Sequence, residues 1–258
     1  MLKYKTMKFI IVFLMVLVSV SSCFLDNEID KGPQQEISSE AYKVYNTLIS
    51  GFSGLYFFQK TGTFLAVSDK TGIFEIDKAG VIIRKLPYSG SNDFEGITIN
   101  NLTGDIYLAD EGLMVIYQLS RDEMSVSKVT NVSIPGAIFN RGVEGLSFGN
   151  DTLYIVNQES PTLLIKYDLK SKKEISRHKM DYAVYLSDIF YDGTDKSLWI
   201  CDSKQKKIFH ADLNGNLIGT QLIDYVSKAE AIFVDRQEGF VWVGCDETGN
   251  LYKIKLTI

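Results

Sequence analysis

The chain repeats one short unit five times, and this repetition limits its possible folds more than any other feature. Each unit begins with an acidic residue directly before a short run in which apolar residues alternate. The acids are Glu95, Glu144, Asp188 and Glu230, spaced 49, 44 and 42 residues apart. A fifth copy, "FSGLYFF" at 52–58, carries Ser53 in place of the acid. A period of this length indicates an array of repeated supersecondary units.

Every unit continues with further short β-prone runs, separated by turns rich in Asn, Asp and Gly. Ten to twelve positions after each repeated acid, or after Ser53, lies an aromatic residue. These aromatic residues are Phe64, Tyr107, Tyr154, Trp199 and Trp242. Four short strands per unit, without helical periodicity, predict an all-β fold. We therefore predict a single β-propeller of five four-stranded blades. A six-bladed ring is the alternative, and it would need one more unit than we find.

The last unit ends at Ile258 after only three strands, whereas the other units have four. A β-prone run at 42–49, "YKVYNTLI", precedes the first unit and is available as the missing strand. Its pairing with the last unit would close the ring and remove the open sheet edges that promote aggregation. We therefore predict a propeller domain at 42–258, with its last blade closed by the N-terminal strand.

The first 41 residues differ from the repeats in composition. Three lysines within residues 1–8 precede an apolar run at 9–20, which is too short to span a bilayer as a helix but suits a signal peptide. The run ends in Val-Ser-Ser-Cys at 20–23, which resembles the lipobox of bacterial lipoproteins, where the cysteine becomes the lipid-modified first residue. We therefore predict a lipoprotein signal peptide at 1–22 and, at 23–41, a lipidated Cys23 followed by a polar tether. An ordinary secretory signal is the alternative.

This anchor places the domain in the cell envelope, on a bacterial membrane, with the outer membrane as the expected one. Acidic residues soon after Cys23 resemble the surface-export signals of some Bacteroidetes lipoproteins. The net charge is −5, and it becomes −8 without the three lysines of the signal peptide. An acidic domain without a basic cluster does not fit nucleic-acid binding. The expected partners are the membrane, through the lipid, and an unidentified small molecule, glycan or envelope protein.

Two other signals of chemistry are interpreted as structural. Cys201 and Cys245 lie in neighbouring units, on strands expected to be too far apart for a disulfide, so we expect small buried residues at both positions. The G-x-S-x-G pattern at 145–149 resembles a nucleophile elbow, but that mechanism needs a strand-to-helix turn and a partner histidine. Ser147 lies inside a predicted β-strand instead.

The repeated acids are expected at the central channel. In a propeller the first strand of each blade lines the channel, so the acids that begin these strands should meet at one channel mouth. The second strand runs antiparallel to the first and therefore ends at the same mouth. Its terminal residues would supply a second set of oxygen ligands there: Asp69, Asp110, Glu111, Asn157, Gln158, Asp202 and Asp246.

Carboxylates around one axis repel each other and raise one another's pKa values unless a cation neutralises them. Oxygen ligands in a roomy ring favour Ca²⁺, with Mg²⁺ second, whereas zinc would require His or Cys. We therefore predict a calcium site held by Glu95, Glu144, Asp188 and Glu230, with the second-strand residues as further ligand-binding groups. The alternative is structural, because each acid could instead cap the entry to its own strand by accepting backbone N–H groups.

The segments "SGLYF", "DFEGITI", "VEGLSF" and "EAIFVD" resemble the SdiA-regulated (YjiK-like) family of bacterial β-propellers over essentially the whole domain. This resemblance implies a propeller without an established biochemical role. Two hypotheses remain, and the first is a lipid-anchored binding or interaction module that uses the channel mouth. The second is a calcium-dependent hydrolase of lactones or esters, because gluconolactonases and paraoxonases are similar in placing acids and amides at such a mouth. No catalytic residue is assigned.

Overall fold

The computed structural model describes residues 37–90, 93–136 and 141–258. These residues form twenty-one β-strands and no helix. Among them there is accordingly no helix that could cross a membrane. The predicted signal peptide, Cys23 and the first part of the predicted tether lie outside the described residues, so these assignments stay predictions.

Five antiparallel sheets follow one another along the chain. The first contains β3 (Phe52–Phe58), β4 (Thr63–Ser68), β5 (Gly72–Ile76) and β6 (Ile82–Lys85). The second contains β7 (Phe94–Asn100), β8 (Asp105–Asp110), β9 (Val115–Leu119) and β10 (Val126–Asn131). The third contains β11 (Val143–Gly149), β12 (Thr152–Asn157), β13 (Leu163–Asp168) and β14 (Lys173–Lys179). The fourth contains β15 (Leu186–Asp192), β16 (Ser197–Asp202), β17 (Lys207–Asp212) and β18 (Leu217–Leu222). The fifth contains β19 (Ala229–Asp235), β20 (Phe240–Cys245) and β21 (Asn250–Lys255), together with β2 (Tyr42–Asn46) and the short β1 (Ile37–Ser38).

The N-terminal strand completes the last blade. β2 pairs antiparallel with β21 along its whole length, with Tyr42 opposite Ile254 and Asn46 opposite Asn250. The two-residue strand β1 adds to the outer side of β2. The predicted all-β propeller of five four-stranded blades, closed by the N-terminal strand, is therefore confirmed.

The aromatic residues of the second strands form the core between blades. All five of them, Phe64, Tyr107, Tyr154, Trp199 and Trp242, are buried. The rings of Phe64 and Trp242 lie 5.3 Å apart and join the first blade to the last. Packing of this kind holds neighbouring sheets face to face. Cys201 and Cys245 are also buried and are free thiols, as the sequence predicts.

The five inner strands, β3, β7, β11, β15 and β19, share one irregularity that shapes the site. Each pairs with the second strand of its blade in a register that shifts by one residue directly after the first residue of the strand. The residues at these shifts are Ser53, Glu95, Glu144, Ser187 and Glu230. A β-bulge of this kind re-aims the side chain of the extra residue. The propeller therefore presents one special side chain from every blade at the same end of the central channel, which we call the hub.

Directly beyond the bulges the inner strands approach each other closely, and we call this level the waist of the hub. Its residues are Gly54, Gly96, Gly145, Asp188 and Ala231. A Cβ atom built on Gly96 would lie only 2.5 Å from the backbone oxygen of Glu144. Glycine is needed where two backbones come this close.

Candidate functional site

Three rings of residues surround the mouth of the hub at the start of the inner strands. The inner ring consists of the bulge residues Ser53, Glu95, Glu144, Ser187 and Glu230. The entry ring lies two residues earlier in each blade and consists of Gly51, Asp93, Gly142, Tyr185 and Lys228. The outer ring follows the second strands and consists of Asp69, Glu111, Gln158, Ser203 and Asp246. Backbone hydrogen bonds join the outer ring to the entry ring in four blades, for example from the N–H of Glu111 to the carbonyl oxygen of Asp93 at 3.0 Å.

One side of the mouth gathers carboxyl groups. One oxygen from each of Asp93, Glu95 and Glu111 lies within 4.8 Å of the other two. The carboxyl groups of Glu111 and Glu144 adjoin each other, and the amide of Gln158 donates to Glu144. We call Asp93, Glu95, Glu111 and Glu144 the acid cluster. Among the described residues, no lysine or arginine forms an ion pair with any of its four members.

The electrostatics of the acid cluster follow from this arrangement. Burial raises the pKa values of the Glu95 and Glu144 carboxyls well above their ordinary range, and neighbouring carboxylates raise them further. Burial also raises the pKa values of Glu111 and Asp93. Adjoining buried carboxylates repel each other unless a proton or a cation neutralises them. The acid cluster is therefore a place where a metal cation would replace protons.

The other side of the mouth contains its own cation. Lys228 Nζ lies 2.7 Å from Glu230 Oε1 and 2.7 Å from Asp246 Oδ2. Burial raises the pKa of the Glu230 carboxyl to about 7, although Lys228 acts in the opposite direction. Lys70 adds a second, looser contact of 3.6 Å to Asp246. The negative charge of Glu230 and Asp246 is thus compensated by the protein itself.

Asp188 does not lie in the inner ring. In the fourth blade Leu186 pairs with Asp202 and Asp188 pairs with Cys201, so the register shift falls on Ser187. Ser187 is therefore level with Glu95, whereas Asp188 lies one step further along the strand, at the waist. An alignment of the repeats on their acidic residues puts Asp188 level with Glu95, because it compares residue types and does not take the strand register into account. A shift of one residue changes the direction in which a strand side chain points.

At the waist, the Asp188 carboxylate closes the axis of the hub. It accepts two backbone N–H groups, each at 2.8 Å, from Ile232 and from Ile189, the next residue in the chain. Burial raises the pKa of Asp188 well above its ordinary value, and the hydrogen bonds from backbone N–H groups oppose that shift. The capping role considered from the sequence thus fits Asp188, which accepts one N–H group from its own blade and one from the last blade.

The second-strand residues divide into two groups. Asp110, Asn157 and Asp202 end their strands and hold the turns that follow. Asp110 Oδ1 accepts the N–H of Leu113 at 2.8 Å, and Asp202 Oδ1 accepts the N–H of Gln205 at 2.8 Å. Asn157 Nδ2 donates to backbone oxygens of the next turn at 2.6 and 3.1 Å. The others predicted from the sequence, Asp69, Glu111, Gln158 and Asp246, lie in the outer ring.

Sequence reasoning missed the two charged residues of the entry ring. Asp93 completes the acid cluster and Lys228 neutralises the opposite side, yet neither was selected from the sequence. The signal is their spacing, because both lie two residues before a repeated acid, in "DFE" and "KAE". Residues two apart on a strand share a face, although the bulge region alters this regularity. A comparison of this position across the five units would have indicated that the ring is asymmetric.

A five-bladed β-propeller with a closed waist and an acidic mouth is the class of protein that this fold and site define. Residues 33–254 match the SdiA-regulated family. This match covers most of the chain, and the protein belongs to that family. The resemblance visible in the repeated motifs is thereby confirmed.

Several solved structures share the fold. A gluconolactonase from Xanthomonas campestris is 8% identical with a TM-score of 0.55, covering 88% of this chain and 96% of that chain. A chain of a nidogen/laminin complex is 13% identical with a TM-score of 0.53, covering 75% and 72%. An auxiliary nutrient binding protein from Bacteroides thetaiotaomicron is 13% identical with a TM-score of 0.52, covering 78% and 58%. At these identities the similarity shows the fold alone.

Proposed function

We propose that the protein is a lipid-anchored binding module of the cell envelope and that its acid cluster binds one Ca²⁺ ion. The observation that carries this proposal is the convergence of Asp93, Glu95 and Glu111, with oxygens within 4.8 Å of one another and no ion pair to a lysine or arginine among the described residues. Four adjoining carboxyl groups are costly to keep together in a buried site unless protons or a metal ion neutralise them.

The dimensions of the acid cluster support calcium. Oxygens lie about 2.3–2.6 Å from Ca²⁺, so two of its ligands are at most roughly 5 Å apart. For Mg²⁺ the corresponding limit is roughly 4 Å. Gln158 Oε1 is buried and has no hydrogen-bond donor within the part of the chain that the structure describes, so it adds an uncharged oxygen beside Glu144. The donor set therefore fits Ca²⁺ and contains no sulfur or imidazole for zinc.

A binding role follows from the number of ligands. Ca²⁺ takes six to eight oxygens, which is more than the acid cluster and Gln158 supply if each residue gives one. The remaining positions would be filled by water or by oxygens of a ligand. A carboxylate or hydroxyl of a small molecule, a glycan or an envelope protein would be suitable. The ion would thus connect the mouth of the propeller to its partner.

Calorimetric titration of the full-length protein in detergent with Ca²⁺ tests the metal site. We expect one site and an increase in melting temperature. Glu111→Gln should weaken calcium binding at least tenfold, because it removes one charged ligand. Glu247→Gln is the matched control, because Glu247 is an exposed acid next to Asp246 and outside the cluster. Absence of both heat and stabilisation at millimolar Ca²⁺ would eliminate the proposed site.

A calcium-dependent hydrolase remains the second candidate, and one observation favours it. The pKa of Glu230 lies at about 7, next to Lys228, and general bases work best when their pKa is near the operating pH. The gluconolactonase named above also has the same fold. A panel of lactones and aryl esters, assayed with and without chelator, distinguishes the two functions. Chelator-sensitive turnover that Glu230→Gln abolishes, while calcium still binds, would establish the hydrolase. Absence of turnover on the whole panel would argue against the hydrolase and in favour of the binding module.

The membrane anchor is tested separately. The support for it is the segment Val-Ser-Ser-Cys at 20–23, which lies outside the described residues. Cells labelled with palmitate should incorporate the label into the protein, and the protein should fractionate with membranes. Cys23→Ala should abolish the label and Ser22→Ala, the control, should retain it. A labelled Cys23→Ala protein would contradict the assignment.

A further inference from the structure

We infer that the opposite end of the hub is a second binding site, separate from the acidic mouth, and that it takes a neutral sugar. The inner strands all run from the acidic mouth to this end, where a cavity of about 530 Å³ opens between their last residues. This volume lies within the range of roughly 300–1,000 Å³ that is usual for small-molecule sites. The Asp188 carboxylate and its hydrogen bonds close the waist between the two ends.

Aromatic rings form the floor of this cavity. Tyr56, Phe190 and Phe233 come from three different blades, and their ring centroids lie 5.0–6.4 Å apart. The three residues are buried, with 7–9% of each residue's surface exposed, and all three line the cavity. An aromatic face carries partial negative charge, so it attracts the weakly positive C–H groups of a ligand that lies flat on it. Since the three rings are tilted by 45–74° to one another, the floor presents both faces and edges, and it suits the apolar C–H groups of a ligand.

The charged residues of the cavity are already paired. Arg236 Nε donates to Asp192 Oδ2 at 2.8 Å. Lys78 Nζ lies 3.6 Å from Asp235 Oδ2. Opposite charges therefore cancel around the rim. A charged ligand would have to give up its hydration without gaining an unpaired partner, and a neutral ligand is favoured.

Side-chain amides supply the polar contacts. Gln59, Asn100, Asn101 and Gln237 line the cavity. The Asn101 amide already bonds to the backbone of β3 and the residue that follows it, and Asn100 Oδ1 accepts N–H groups of its own turn. Gln59 and Gln237, which are exposed at the edge, are therefore the amides that a ligand can reach. An amide offers both a donor and an acceptor. A sugar hydroxyl does the same, so adjacent hydroxyls can pair with one amide through two hydrogen bonds. The aromatic floor, the amides at the rim and the cancelled charges together favour a neutral pyranose as the ligand. The acidic mouth, in contrast, favours a cation.

Saturation-transfer NMR and calorimetry test this site on the full-length protein in a detergent that contains no sugar. The probes are glucose, galactose, N-acetylglucosamine and maltose, with glucuronate and glucosamine as charged counterparts. We expect at least one neutral sugar to bind and its charged counterparts to bind at least tenfold more weakly. Absence of binding by all neutral probes, or equal binding of the charged ones, overturns the inference.

Variants locate the sugar. Gln59→Ala combined with Gln237→Ala should reduce the affinity at least tenfold without changing the melting temperature, because both side chains are exposed. Asn131→Ala is the matched control, since Asn131 is an exposed amide on the outer strand β10. Chelator and Glu111→Gln should leave sugar binding unchanged. Unchanged affinity in the double variant, or loss of binding with chelator, would show that the sugar binds elsewhere.

Discussion

Replacement of Asp188 by alanine should destabilise the propeller by removing the acceptor at its waist. The carboxylate accepts two N–H groups at 2.8 Å, from Ile189 of its own strand and from Ile232 of the last blade. Alanine fits sterically, because Ala231 occupies the equivalent position in the last blade. The substitution therefore tests hydrogen bonding rather than packing.

The expected magnitude follows from the two short bonds. A hydrogen bond to a charged group contributes roughly 1.5–3 kcal/mol, and an unpaired buried donor is costly, so two bonds correspond to about 3–6 kcal/mol. Removal of Asp188 also removes the cost of burying its charge. We therefore expect a decrease in the free energy of unfolding near the lower limit, about 3 kcal/mol. For a domain of this size that is a decrease in melting temperature of roughly 6–12 °C.

Urea denaturation followed by circular dichroism measures this change, provided that unfolding is reversible. Ser187→Ala is the matched control, because Ser187 is the buried neighbour of Asp188 and its hydroxyl has no hydrogen-bond partner among the described residues. The control should change stability by less than about 1 kcal/mol. A decrease below about 1 kcal/mol for Asp188→Ala would refute the idea that this carboxylate holds the inner strands together.

Three further predictions concern the mouth and the waist. Without metal, the melting temperature should fall as the pH rises from about 6.5 to 8. Buried carboxyls at the mouth, such as Glu230, have raised pKa values, so the folded chain holds more protons than the unfolded chain in this window. Saturating Ca²⁺ should reduce the slope, and a melting temperature that rises with pH would contradict the prediction. Gly96→Ala should destabilise by about 1–3 kcal/mol or more through backbone overlap, whereas Gly193→Ala, which meets only an ordinary contact of 3.6 Å, should cost far less. Lys228→Met should remove the built-in cation and increase the stabilisation that Ca²⁺ provides in thermal melts; an unchanged calcium effect would show that Lys228 does not compensate the mouth.

The sequence predicted the fold because a propeller repeats its backbone and its core. Periodic aromatic residues such as Trp199 and Trp242 mark the second strands, and every blade needs one. The three-strand last unit similarly required a partner strand, which β2 supplies. These features depend on alternation and strand count, which a single sequence displays directly.

The site was harder to predict because its chemistry does not repeat with its backbone. At the inner ring the fourth blade carries Ser187. The acid of this blade, Asp188, lies at the waist and accepts N–H groups instead of facing the mouth. A bulge of one residue is invisible in composition, yet it decides between a cap and a ring ligand. The position of an acid in a repeat is therefore informative only when the strand register is known.

The asymmetry of the mouth has a physical consequence for where a metal ion can bind. The entry ring carries Asp93 in the second blade and Lys228 in the last blade. The lysine already lies 2.7 Å from Glu230, so a divalent ion there would meet a resident positive charge as well as the carboxylate. Next to Glu95, the entry ring contributes the Asp93 carboxylate, which joins those of Glu95 and Glu111. A symmetric axial ion held equally by all the repeated acids is thus disfavoured. The charge distribution directs a cation to the side of Asp93.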